Sequence, residues 1–153
     1  RLESPSGLFN ALFLTKHSLA HLLTEGISLR HLTDWAVLLR SEDVDWQRFN
    51  ELCEEYKLRR FADTMTRLAV KELGVESPYD CGTEQSLDRR LLEEILSDWY
   101  HILNSRMAWW RQQTVRLVNM VRAGWKYSLS DTSRTALLWQ LIRGFLFERE
   151  PKL

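Results

Sequence analysis

His17, His21, His31 and Asp34 fall in one stretch, HSLAHLLTEGISLRHLTDW, residues 17–35. His17 and His21 are four residues apart, so on a helix they share a face. That spacing suits two ligands of one metal ion. A zinc site takes three protein ligands even when catalytic, and here the residues between the histidines are Ser, Leu and Ala, without the glutamate of HExxH. Cys53 or Asp34 would have to be brought in by the fold, so no metal site is assigned. A second chemistry is general-base catalysis, with Asp34 orienting an imidazole. A third is structural. Asp34 adjoins the apolar positions Leu32 and Trp35 and is expected to be at least partly buried. A buried carboxylate needs partners. His17 or His21 from a neighbouring helix would supply one and Arg30, at i−4, another. This helix-fastening reading of His17, His21, Arg30 and Asp34 is favoured over the pocket reading, and no catalytic residue is assigned.

A second constellation is SRMAWWRQQTVRLVNMVRAGWKY. Arg106, Arg111, Arg116, Arg122 and Lys126 occur there without a single Asp or Glu. Arginine interleaved with tryptophan can contact phosphate and stack on bases. Trp110, Leu117 and Val121, however, share an apolar stripe that reads as core. Arg106, Arg111, Arg122 and Lys126 are therefore expected to form a solvent-facing docking or anion-binding face. An acidic protein surface or a second domain is favoured over nucleic acid as its partner.

The elements that position these residues are helical. Apolar residues recur at three- and four-residue intervals through most of the chain. Leu8, Leu12, Leu19, Leu22 and Leu23, with Phe9 and Phe13 beside them, mark a first helix capped by Ser4 or Ser6 and stopped at Gly26. Ser28 opens a second, striped by Leu29, Leu32, Trp35, Ala36 and Leu39. Asp45 caps a third, carrying Trp46, Phe49, Leu52, Cys53 and Tyr56. A fourth spans about 58–73 and ends at Gly74. VESPYDCGTE is a loop. Thr83 is expected to start a further helix with Leu87, Leu91, Leu92, Ile95, Leu96 and Trp99 inward. A break is expected at Asn104–Ser105, a stop at Gly124, and a last helix over about 132–147. No stretch alternates like a strand. The expected fold is all-α, one compact domain of six or seven helices: a group over 6–74, a loop over 75–83, a group over 84–148 and a polar tail over 149–153.

Composition bounds the function. The chain has 153 residues, with 21 basic against 21 acidic side chains, so net charge argues for no particular partner. Six glycines and three prolines suit long helices, and seven tryptophans imply aromatic packing. Two cysteines without a CxxC pair, and no signal peptide, suggest free thiols in a reducing cytoplasm. No apolar run approaches the ~18 residues that span a bilayer. The opening RLESPSGL lacks a methionine, which suggests a fragment. GxGxxG, GxxxxGK[ST] and GxSxG are all absent.

The blocks FNALFLTKHSLAHLLTEGISLRHLTDWAVLL, DWQRFNELCEEYKLRRFADTMTRLAV, WKYSLSD and GFLFEREPKL resemble the bacterial family of uncharacterised nucleotidyltransferases, in the region that follows its catalytic core. The most specific part is the histidine-bearing helix, the glycine turn and Leu-x-x-Leu-x-Asp-Trp. The resemblance implies an α/β domain elsewhere in the polypeptide, with a Gly-Ser turn and an Asp-x-Asp pair holding Mg²⁺ and a nucleoside triphosphate. This sequence has no Gly-Ser dipeptide, and its one Asp-x-Asp, Asp43–Asp45, precedes a helix. It therefore implies the helical portion alone, inert by itself, without a cofactor of its own, with the α/β domain as its partner. On that analogy His17, His21 and Asp34 face the cleft. Two alternatives are a stand-alone module that binds a protein or nucleic acid through Arg106–Lys126, and a metallo-hydrolase, which requires bound zinc.

Overall fold

A computed structural model describes residues 6–24, 26–41, 43–97 and 124–130. Five α-helices and one 3-10 turn are found among them, and no strand: α1 Gly7–Thr24, α2 Leu29–Leu39, α3 Trp46–Glu55, α4 Arg59–Leu73, α5 Asp88–Leu96, and the turn Lys126–Leu129. The all-α expectation holds. The helices expected beyond Leu96, and the break at Asn104–Ser105, lie outside the described residues.

The caps explain the first boundaries. Ser6 Oγ accepts the Phe9 N–H at 3.3 Å and the Ser6 carbonyl accepts the Asn10 N–H, so Ser6 caps α1. Asp45 Oδ1 accepts the Arg48 N–H at 2.9 Å and caps α3. Between α3 and α4 the chain turns through Lys57, a non-glycine residue with φ of 59°. The Leu58 N–H then reaches back to the Cys53 carbonyl at 2.7 Å. Gly74 closes α4 in the left-handed conformation. At Gly7 a Cβ would stand 2.5 Å from the Asp43 carbonyl oxygen, so glycine lets α1 begin against the α2–α3 connection.

All five helices and the turn feed one hydrophobic cluster. Leu22, Ile27, Leu32, Trp35, Phe49, Phe61, Met65, Leu68, Leu91 and Leu129 are almost wholly enclosed in it. α2 packs most extensively on α4, while α1 reaches α3, α4 and the 3-10 turn. The apolar periodicity picks out Leu22, Leu32, Trp35, Phe49 and Leu91 but not Ile27 or Leu129, which lie in connections, and some residues of its stripes are exposed for a shared cause. Phe9, Phe13, Leu29, Tyr56 and Leu96 are exposed. Each flanks the buried stripe by one position or sits at a helix end, where ~100° of rotation per residue carries a side chain out.

The start of α5 is corrected. Helix begins at Asp88 rather than at Thr83: residues 83–87 run through a bend and a turn, and α4 holds them from the side at Glu84. Arg60 Nη2 binds Glu84 Oε1 at 2.8 Å, and Ser86 Oγ donates to the same oxygen. α5 also ends earlier than expected, at Leu96, with Ser97 extended. No helix among the described residues is long and apolar enough to cross a membrane.

Candidate functional site

The α1–α2 corner gathers the three histidines of the opening motif. Gly26, at φ +92°, makes the turn; its N–H donates to the His21 carbonyl at 2.7 Å. A side chain there would face both a disfavoured backbone and Glu94 Oε1, 3.1 Å from the Cβ position. Four residues of helical rise bring His17 and His21 together. Their Nε2 atoms are 3.1 Å apart, with the rings edge to face at 4.4 Å between centroids. One of the two nitrogens must carry the proton. His31 crosses from α2, its ring 5.5 Å from that of His21. Above the pair, Phe13 lies nearly parallel to His17 at 5.4 Å and Phe9 to Phe13 at 6.3 Å. Phe9 is 58% exposed and Phe13 57%, so this face of α1 is an outward ladder of rings.

His31 is fixed by the start of its own helix. The Ser28 N–H donates to His31 Nδ1 at 3.2 Å, and Ser28 Oγ stands 3.3 Å from the same nitrogen. This is a capping box with histidine in the place usually taken by Glu or Gln. Burial, then the neighbouring His21, hold the His31 imidazole below its ordinary value, and Asp34 opposes them.

Two expectations, one from each constellation, are corrected. The Asp34 side chain is 53% exposed, and its ion-pair partner is Arg30, at 3.9 Å on the same helix face. The turn that buries Trp35 and Leu32 points Asp34 outward, and across the corner the His31 ring meets that of His21. Lys126, expected on a solvent-facing docking surface, is 7% exposed and ion-paired to Glu94 of α5, with its ammonium near the Trp125 ring. A buried ammonium needs that carboxylate. Arg106, Arg111 and Arg122 lie outside the described residues.

Trp35, the last residue of the Leu-x-x-Leu-x-Asp-Trp motif, performs a structural task. Its Nε1–H donates to Thr66 Oγ1 of α4 at 3.0 Å. Thr66 in turn donates to the Ala62 carbonyl at 2.9 Å and meets the Tyr79 hydroxyl at 2.7 Å. Tyr79, from the loop after α4, also packs on Trp46 and Phe49. Burial raises its hydroxyl well above the usual phenol range.

Residues 1–74 match the family model described as uncharacterised nucleotidyltransferase. No curated protein and no solved structure matches the chain. The family match covers α1 to α4 and ends on the glycine that caps α4. It contains the histidine corner and Trp35 but not WKYSLSD or GFLFEREPKL, on which the resemblance also rested.

Straddling that boundary lies a polar cleft that sequence reasoning missed. Arg59, Asp63 and Arg67 repeat at i, i+4 and i+8 on α4, a signal that was visible in the sequence. Arg59 Nε holds both Asp63 oxygens at 2.9 Å, and Arg67 holds Asp88 of α5, closest at 2.8 Å. Arg59 also donates to the Asp80 carbonyl and Arg67 to the Cys81 carbonyl. Arg60, Asp63, Arg67, Cys81, Thr83 and Glu84 line a cavity of about 320 Å³. Its arginines are engaged by carboxylates and carbonyls, so the cleft anchors the loop.

Among the described residues no three His, Cys, Asp or Glu side chains are grouped to hold a metal ion. Asp45 of the single Asp-x-Asp spends its carboxylate on the cap of α3. Cys53 and Cys81 are free thiols; burial pushes Cys53 up to about 12, so it is no nucleophile near neutral pH.

Proposed function

We propose that this chain is the helical, substrate-side portion of a nucleotidyltransferase-like protein, and that it is catalytically inert by itself. The observation that carries the reading is the family match over residues 1–74, which falls on an all-helical unit with no strand among its described residues. The sequence supports it further, since it holds no Gly-Ser turn and its Asp-x-Asp is a helix cap. Mg²⁺ and the nucleoside triphosphate belong, on this reading, to an α/β domain of the same polypeptide, and the helical unit completes the cleft. The exposed ring face of α1, Phe9, Phe13 and His17, is the part of the matched segment best suited to lie against that domain. The alternative of a stand-alone module docking through Arg106–Lys126 loses Lys126, which is committed to Glu94.

The test is a transfer assay. This chain, incubated with Mg²⁺ and each labelled nucleoside triphosphate, should transfer no nucleotide, and the full-length parent protein should. Transfer by the chain alone overturns the accessory role. A parent reading frame with no Gly-Ser plus Asp-x-Asp segment overturns the transferase reading itself.

A further inference from the structure

The capping of α2 contains a donor–acceptor constraint that the function above does not use. A backbone N–H can only donate. The Ser28 N–H points at His31 Nδ1 from 3.2 Å, so that nitrogen must present its lone pair. The imidazole is then neutral, with its proton on Nε2. A second proton can go only to Nδ1, where it would face the Ser28 N–H as a second donor and could turn only to the Ser28 hydroxyl, 3.3 Å away. In an ordinary capping box the third residue is Glu or Gln, whose oxygen accepts throughout the neutral range.

We propose that Ser28 and His31 form a proton-operated cap, closed near neutral pH and opened on mild acidification, which releases the first turn of α2 and with it the α1–α2 corner. Among the described groups around His31, burial and the two α1 histidines favour the neutral ring. From α1, His21 and His17 stand next to it and add like charge once any of the three is protonated. From its own helix, Asp34 favours the proton, but that carboxylate is exposed and shared with Arg30. From α5 and the 3-10 turn, the charges beside Gly26 are Glu94 and Lys126, which neutralise each other. The α2 N-terminus itself carries positive dipole and repels an imidazolium at its third residue. The net direction for His31 is downward, with burial and His21 outweighing Asp34 and a Ser28 backbone contact that favour the proton.

The opening is intramolecular and needs only a proton from solvent. It differs from a generic histidine effect because it predicts a tautomer, a coupled amide and a rescuing substitution. The experiment follows ring nitrogens and backbone amides of the full 153-residue chain by NMR from about pH 7.5 to 5.5, the range in which histidine titrates. At the upper end His31 should be the Nε2–H tautomer. On acidification the Ser28 amide should shift in step with the His31 ring and lose its exchange protection. His31→Gln restores an acceptor that does not titrate, so protection at Ser28 should persist across the range. His31→Ala should lack it throughout.

A neutral-pH tautomer with the proton on Nδ1 overturns the proposal. So does a Ser28 transition that survives unchanged in His31→Gln. If either variant fails to fold, the wild-type tautomer and the coupling of its two signals decide the matter. None of these readouts involves nucleotide transfer, so the cap stands or falls separately from the proposed function.

Discussion

Asp34 and Trp35 are sequence neighbours with opposite fates, and that contrast shows what a residue-level reading can reach. Both sit in the segment that the family model matches. Trp35 is buried and gives its only donor to Thr66, while Asp34 faces solvent beside Arg30. Thr66→Val should therefore be costly. It keeps the volume but strands the Trp35 N–H and deprives the Tyr79 hydroxyl, at about 1–3 kcal/mol for each buried group left unmade. Asp34→Ala should stay within about 0.5 kcal/mol of wild type, as an exposed substitution away from any cap or core contact. Urea midpoints of the two variants, at unchanged slope, check both; a large loss for Asp34→Ala would restore the buried-carboxylate reading. The burial of Trp35 was legible from its place in the Leu29–Leu39 stripe. Its partner was not, since nothing local to a threonine 31 positions away signals a pairing across two helices. Asp34 was misjudged because adjacency to buried residues says little on a helix, where one step along the chain is more than a quarter of a turn.

At the scale of elements, helices α1 to α4 were readable because their stops and caps are written in the chain: Ser6, Gly26, Ser28, Asp45 and Gly74. The start of α5 was not. Thr83 was expected to start it, yet 83–87 is non-helical and Glu84 is held by Arg60 of α4, and such long-range capture leaves no periodic trace. The attachment of α5 to α4 rests on Arg67 and Asp88, whose side chains are 13% and 12% exposed. Removing one partner strands a nearly buried charge, so Arg67→Met should destabilise the chain by about 3–5 kcal/mol. The double variant Arg67→Met/Asp88→Leu should recover much of that loss, because an apolar pair of similar size avoids the desolvation of both ions. A double-mutant cycle in urea checks this, and purely additive losses would show that the pair does not act as a unit. The same scale holds the pH dependence. His31 is a base whose folded value is lowered, so the unfolded chain takes up protons first. Its contribution is complete above the ordinary imidazole range near 6.5 and falls away as pH drops through that value toward the lowered one.

For the whole molecule, the family boundary and the physical boundary do not coincide. The match ends at Gly74, but the core that encloses α1 to α4 continues past it. Tyr79 completes the Trp35–Thr66 network and packs on Trp46 and Phe49; Leu91 and Ile95 of α5 and Leu129 of the 3-10 turn are buried in the same cluster. Each such apolar side chain contributes about 1.5–3 kcal/mol by leaving water. Cutting the chain after Gly74 removes all of them and also leaves Arg67 without Asp88. The summed loss is comparable to the ~5–15 kcal/mol that holds an entire domain together. A fragment of residues 1–74 should therefore keep much of its far-ultraviolet helical signal, lose its near-ultraviolet tryptophan signal and bind a hydrophobic dye, as a compact chain with unfixed packing does. The 153-residue chain should unfold in a single cooperative step. A sharp, dye-free transition of the fragment at a similar midpoint would instead make the matched segment an autonomous domain, with α5 and the turn as appendages. The network around Tyr79 argues against that outcome, because the motif residue Trp35 is satisfied only through a hydroxyl that a loop outside the match helps to hold.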